Sequence, residues 1–343
     1  MLFFERDIAI DMGTTNVQVY VRGKGIALRE PTVVAVDKVS GKLLKVGEEA
    51  RRMMGRTPAN IVAVHPLTAG VISDYDMTSR MIKELIDRVT SFSLFKPRVL
   101  ICVPSSVTGV EERAVLDAAI EAGARKAYLL ESAVATATGA GLDISRPTGY
   151  LIVDIGGGTT EVAVVSLNGV AECESLKVAG ADFDEAIVRY IRRKHNVLIG
   201  TRTAEELKIS IGSAMPAAAE RRETVKGRCL VSGMPREVTV TSTEILEAFA
   251  EPLSRILETI HMVLERTPPE LVSDISQNGM VLSGGGSLLP GIDKLIEKHT
   301  GIRTAVVDDP ISCAAYGAGK TLARLNEMQD GMINLARRRQ MKG

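Results

Sequence analysis

The chain has 343 residues, 45% of them apolar and 24% charged, with 42 Lys plus Arg against 42 Asp plus Glu. That length exceeds what one hydrophobic core usually supports, so two domains or two fused halves are expected, and the balanced charge gives no electrostatic case for a nucleic-acid partner. No stretch approaches the roughly 18 apolar residues of a membrane span, and four scattered cysteines with no C-x-x-C pair and no leader ahead of them point to the cytoplasm. The four histidines, His65, His195, His261 and His299, are isolated, which argues against a metal site built on them.

In chain order, DIAIDMGTTNVQVYVRGKGIAL (7–28) reads as strand, tight polar turn, strand, a Gly-Lys-Gly turn and a further strand. KPRVLICVPSSV (96–107) is a buried strand and loop, GVEERAVLDAAIEAGA (109–124) an amphipathic helix ended by glycine, RKAYLLES (125–132) a strand and AVATATGAGLDI (133–144) a small-residue helix. YLIVDIGGGTTEVAVVSL (150–167) is strand, glycine-rich turn and strand, followed by a hairpin with an Asn-Gly turn at 168–169 and a helix over 181–195. A helix over 201–215 carries Thr203 and Glu206 at capping-box spacing. Then come a strand pair over 227–241, one long helix over 243–271, and a strand that leads through three glycines into a helix over 279–301. The alternation of strands and helices places the chain among α/β folds.

IAIDMGTTNVQVYV and LIVDIGGGTTEVAVV share strand, Asp-x-Gly, a Thr-Thr pair and strand, which suggests a duplicated unit with both turns on one cleft. Glycines let backbone N–H groups converge into an anion nest, and Thr14, Thr15, Thr159 and Thr160 add hydroxyls. Asp11 and Asp154 would repel a bare phosphate but suit one that carries Mg²⁺. A dinucleotide fold needs the glycines to enter a helix, whereas here they enter a strand. AAYGAGKT (314–321) lacks the first glycine of a Walker loop, which leaves Lys320 a helix-face cation. Gly284, Gly285 and Gly286 would let backbone lie flat against a planar base, with Ser287 and Leu288 beginning a helix, and Glu205 and Lys208 share a helix face that could meet ribose hydroxyls.

With IDMGTTN, VDIGGGTTEVAVVSL, RTAEELK, TPPELVSDI and LSGGGSLLPGID in order, the chain resembles the actin, heat-shock chaperone and sugar kinase superfamily, and within it the MreB-like bacterial actins. The resemblance implies an α/β actin-like ATPase fold of two duplicated domains, or four subdomains, around a central nucleotide cleft. The first domain would cover 1–147 with an insert at about 33–66, and the second 148–343 with an insert at about 181–244 and a C-terminal helix from about 314 returning to the first. It implies ATP and Mg²⁺, with Gly13, Thr14, Thr15 and Asn16 on the first phosphate loop and Gly156, Gly157, Gly158 and Thr159 on the second. Glu205, Glu206, Leu207 and Lys208, with Gly284, Gly285, Gly286, Ser287 and Leu288, would take ribose and adenine. Asp11 and Asp154 would lie near the metal, and Asp154, Thr160 and Ser132 nearest the chemistry.

The family reads IEEPMAAAIGAG where this chain has LESAVATATGAG, so Ser132 replaces the glutamate taken to orient the attacking water. A weak Mg²⁺-dependent ATPase with slow hydrolysis is therefore expected. The resemblance further implies polar or antiparallel protofilaments at the inner face of the cell membrane, which guide wall elongation and rod shape beside MreC, MreD and RodZ. Leu2, Phe3, Phe4, Leu94 and Phe95 would enter lipid, with Arg6, Lys96 and Arg98 toward anionic headgroups, in a chain whose aromatic content is only 3%. The arginine-rich tail reads as a solvated terminus. The alternative is an actin-fold small-metabolite kinase, but no catalytic aspartate at a substrate pocket is identifiable, and a chaperone would need a further β-rich domain.

Overall fold

A computed structural model describes residues 7–68, 70–90 and 96–327. β1 (Asp7–Met12) and β2 (Asn16–Val21) form a hairpin that β3 (Gly25–Pro31) extends. β4 (Val34–Asp37), β5 (Leu43–Val46), the single turn α1 (Glu48–Arg51) and β6 (Ile61–Val64) build a small separate sheet in the order β5-β4-β6. The short pair β7 (Leu67–Thr68) and β8 (Val71–Ile72) precedes α2 (Tyr75–Thr90), β9 (Arg98–Val103), α3 (Gly109–Glu121), β10 (Lys126–Glu131) and α4 (Ser132–Gly139). The first main sheet has the order β10-β9-β1-β2-β3, with β1, β9 and β10 parallel.

The second half repeats the scheme. β11 (Tyr150–Ile155), β12 (Thr160–Ser166) and β13 (Gly169–Leu176) are followed by α5 (Gly180–His195), β14 (Val197–Leu198), α6 (Thr201–Ile211), β15 (Arg222–Cys229) and β16 (Pro235–Thr241). Then come α7 (Ser242–Ala248), α8 (Ala250–Arg266), α9 (Pro269–Asn278), β17 (Met280–Ser283), α10 (Ile292–Thr300), β18 (Thr304–Val306) and α11 (Cys313–Thr321). The second main sheet runs β13-β12-β11-β17-β18, and β14-β15-β16 form a small sheet of their own.

Strand alternation sorts the side chains onto two faces of each sheet. Ile8, Ile10, Val17, Val19, Val99, Ile101 and Leu129 fill the outer core of the first sheet, and Leu151, Val153, Ile155, Val162 and Val164 that of the second. The inner faces, Ala9, Leu100, Cys102, Tyr128 and Leu130 on one side and Ile152, Ala163 and Val165 on the other, share a core with α4 and α11. Those two helices approach so closely because they meet at glycine: a Cβ on Gly317 would lie 1.7 Å from the Ala135 carbonyl oxygen, and one on Gly139 2.0 Å from that of Cys313. Lys320 is more than a helix-face cation, since its Nζ donates to the Thr138 and Gly139 carbonyls and so caps the end of α4.

Four local expectations change. The single helix expected over 243–271 is three, α7, α8 and α9, because Pro252 can neither donate to the carbonyl of Ala248 nor sit against it, and because Thr267 before Pro268 is extended at ψ 135. α6 begins at Thr201 behind Gly200, so Thr203 is inside the helix and Glu206 pairs with Arg202 instead of closing a capping box. The hairpin after β12 turns on Leu167 and Asn168, both at positive φ, one residue before the expected Asn-Gly, since their N–H groups donate to Arg146 and Ile144 carbonyls. The residues after β17 form a 3₁₀ turn over Gly285–Leu288, and the α-helix waits until Ile292, behind Gly291 at φ 81.

Arg98 also departs from its expected place at a lipid surface: its Nε and Nη2 each lie 2.7 Å from the buried Asp7 carboxylate, and Nη1 reaches Asn326. Leu2, Phe3, Phe4, Leu94, Phe95 and Arg6 lie outside the described residues. No helix among the described residues is long and apolar enough to cross a membrane.

The α4–α11 contact yields a test. Gly317→Ala gains helix propensity but forces the helices apart, so a net loss of about 1–3 kcal/mol in urea unfolding is expected; an unchanged midpoint would show that the contact yields freely.

Candidate functional site

β1, β9 and β10 are parallel, so their carboxyl ends lie together, and the residues that leave them border one space: Asp11 and the 13–15 turn, Pro104 and Ser105, and Ser132 at the start of α4. β11 and β17 do the same in the second sheet, bringing Asp154 beside Ser283 and Gly284. Open α/β sheets characteristically bind ligands at this end.

The two glycine-threonine turns touch. A Cβ on Gly158 would fall 2.7 Å from Thr14 Cγ2, and one on Gly157 1.7 Å from Thr15 Oγ1. Each turn is braced from behind through its carbonyls: Thr32 donates its hydroxyl to the Gly13 carbonyl and its N–H to that of Thr15, both at 2.8 Å, while the N–H groups of Gly180 and Ala181 at the start of α5 donate to Gly156 and Gly157. With the carbonyls turned outward, the N–H groups of Gly13, Thr14 and Thr15, and of Gly157, Gly158 and Thr159, find no acceptor among the described residues. Buried or half-buried backbone donors normally have partners, and a concentrated set of unspent donors is what an anion nest requires. Gly70, at φ +77, donates to Thr14 Oγ1 at 2.8 Å and abuts Thr159, closing one rim. Asn16 is exposed at the first turn's edge.

Asp11 and Asp154 are pushed up to about 7 and about 6. Burial is the main cause for both; the charge of Asp154 adds to it for Asp11, and a hydrogen bond from Thr136 Oγ1 at 3.1 Å opposes it for Asp154. Two carboxylates raised in this way suit a hard divalent cation, whose charge would favour their ionised forms. Gly284, at φ +79, has no room for a side chain because a Cβ would meet Asp154 Oδ1 at 2.4 Å. Gly285 is exposed with open space above it, and Leu288 is also exposed, leaving an open flat patch. Ser287 is turned inward, its hydroxyl donating to the Gly284 carbonyl at 2.7 Å.

Lys208 is held by its own half: Nζ lies 2.7 Å from Asp184 Oδ1 and donates to the Gly180 carbonyl at 2.8 Å, so its partner is not Glu205. Burial lifts Asp184 to about 6 against the pull of Lys208. Glu205 is half-buried, Glu206 exposed and Leu207 in the core. Arg51 of α1 is raised chiefly by its hydrogen bond to Glu48, with a smaller contribution from the charge of Glu205.

Thr160 stands apart from the other candidates. It is fully buried, and its hydroxyl donates to the Val178 carbonyl at 2.7 Å. Sequence reasoning missed Thr136, Gly70, Asp184 and Glu161; the Glu161 carboxylate accepts the Ser105 N–H at 2.8 Å and joins the two halves. The repeat held the one signal for it, since Glu161 faces Asp154 across its hairpin as Gln18 faces Asp11.

The family described as MreB/Mbl protein matches residues 5–330. The cell shape-determining protein Mbl of Bacillus subtilis is 47% identical over 326 residues, covering 95% of this chain and 98% of Mbl. MreB of Escherichia coli K12 is 49% identical over 329 residues, covering 94% and 95%. Among solved structures, MreB5 of Spiroplasma citri bound to ADP superposes with a TM-score of 0.91 at 36% identity, covering 95% of this chain and 98% of that one, and its AMPPNP complex gives 0.90 at 37%, covering 94% and 97%.

The raised carboxylates set a pH test. Their folded pKa values exceed the unfolded ones, so their contribution is fully present below about pH 4 and is lost as pH rises through about 6 to 7. Without divalent cation, Asp11→Asn is therefore expected to melt roughly 2–4 °C above the native protein at pH 8, with the gap closing near pH 4; a gap independent of pH would contradict the assignment.

Proposed function

The chain belongs to the MreB/Mbl family, and on that footing we propose that it is an ATP-dependent, filament-forming bacterial actin that works at the inner membrane face and directs cell-wall elongation. The observation that carries this reading is the pair of touching turns whose N–H groups are unspent, set beside two raised carboxylates. Such a site takes a polyphosphate with a divalent cation. The N–H groups of Gly13–Thr15 would grip it from one half and those of Gly157–Thr159 from the other, so occupancy would fix how the halves sit.

Asp11 and Asp154 would hold Mg²⁺, through its waters or directly, and the ion supplies positive charge to the phosphates. Thr136 steadies Asp154 in that role. The open patch at Gly285, Gly286 and Leu288 would take the base, and Glu205 a ribose hydroxyl, while Lys208 serves mainly to tie α6 to α5. At the first turn of α4, Ser132 offers a hydroxyl where the family's pattern has a glutamate, so position 132 itself supplies no base, and hydrolysis is slow enough for ATP-loaded filaments to persist.

Asp7 and Arg98 are register partners on neighbouring strands, and in the sequence Phe3 and Phe4 lie within four residues of the one, Leu94 and Phe95 within four of the other. This supports their acting as one membrane contact, near partners such as MreC, MreD and RodZ, with Lys96, which is exposed, as its described cation.

High-speed sedimentation with ATP and Mg²⁺ should bring most of the protein into the pellet; protein that stays in the supernatant while phosphorylating a sugar or small acid would replace this reading with the kinase one. In liposome pelleting with anionic lipid, changing Phe3, Phe4, Leu94 and Phe95 together to Ser should weaken binding at least tenfold, since burying each apolar side chain contributes about 1.5–3 kcal/mol. Unchanged binding would place those residues in the protein's own packing.

A further inference from the structure

We infer that Glu161 is the water-orienting carboxylate of this chain, in the role that position 132 leaves to a serine; the inference rests on the nucleotide reading above. Residues directly opposite in an antiparallel pair project to the same side, and Glu161 is the cross-strand partner of Asp154. Thr160 is opposite Ile155, which belongs to the outer core, and its hydroxyl is spent on Val178. The cleft-facing residue of β12 is thus Glu161. It is 7% exposed.

Two observations tie that carboxylate to the reacting space. Ser105, at the carboxyl end of β9, fixes its orientation by an N–H donated to Oε1 at 2.8 Å. From α4, Thr136 bonds Asp154, and Ser132 lies one turn earlier on the same helix face. Asp154 is thus a neighbour both of Thr136, one helical turn from Ser132, and of Glu161, its cross-strand partner. Glu131, the other carboxylate nearby, is excluded by register: it is opposite Val103, an outer-core residue, and so projects away from the face that carries Asp11 and Cys102.

In the step proposed, a water held by Glu161 attacks the γ-phosphorus of ATP. The new P–O bond forms as the bond to the β–γ bridging oxygen breaks, ADP leaves with that electron pair, and the water's proton passes to the Glu161 carboxylate and on to solvent. Asp11 and Asp154 are not available for this, being placed for the cation.

The test measures ATP binding, sedimentation and phosphate release from polymer for the native protein, Glu161→Gln, Ser132→Glu and the double variant. Glu161→Gln keeps an acceptor for Ser105, so binding and pelleting should stay within about twofold while release falls at least tenfold. Ser132→Glu alone should raise release less than tenfold, because a carboxylate already serves, and in the Glu161→Gln background it should restore release to the native level or above. A Glu161 that only latches the two halves predicts no rescue, so an unrescued double variant overturns the inference. So does native-level release from Glu161→Gln, or a rise of a hundredfold or more in Ser132→Glu, a variant that leaves Glu161 untouched. Absence of release from native polymer that binds ATP overturns the inference alone; absence of ATP binding overturns the nucleotide reading with it.

Discussion

Two carboxylates at the ends of two equivalent strands, Asp11 and Asp154, share a partly enclosed space, with their pKa values raised chiefly by burial. Much of the molecule can be understood as the means of holding that pair in place. Each sits before a turn whose carbonyls are tied down from behind, by Thr32 in one half and by the start of α5 in the other, so the free N–H groups point inward. The protein thus sets negative side chains beside positive backbone dipoles without joining them, an arrangement that, on the function proposed, a magnesium polyphosphate would complete.

The second constraint is distance between the halves. Their inner faces share one core with α4 and α11, and Gly139 and Gly317 let those helices close to backbone contact. Toward the carboxyl ends of the parallel strands the apolar run of the inner faces gives way to Asp11, Gln18, Asp154, Glu161 and Ser283. Links that cross there include Ser105 to Glu161, Thr136 to Asp154 and Gln18 to the Ile311 carbonyl.

The parts of this arrangement that depend on short-range pattern were legible in the sequence. Asp-x-Gly between alternating apolar residues announced both hairpins, and their repetition announced the duplication. What could not be read there depends on pairing across distance. That Lys208 answers Asp184 rather than Glu205 follows from how α6 packs on α5, and that Thr160 turns outward follows from the register of β11 with β12. The turn at Leu167–Asn168 slipped by one residue because a loop from 144 to 146 takes its N–H groups. The break before Pro268 is the contrary case, written plainly in Thr-Pro-Pro and overridden by the apolar periodicity around it.

The central claim is that the two opposed turns and the two aspartates form one site for a magnesium nucleotide. Isothermal titration calorimetry of the native protein with ATP tests it most directly. The account predicts saturable binding at one site per chain, markedly tighter with Mg²⁺ than with chelator present. An absence of measurable binding, or binding indifferent to the cation, would contradict it.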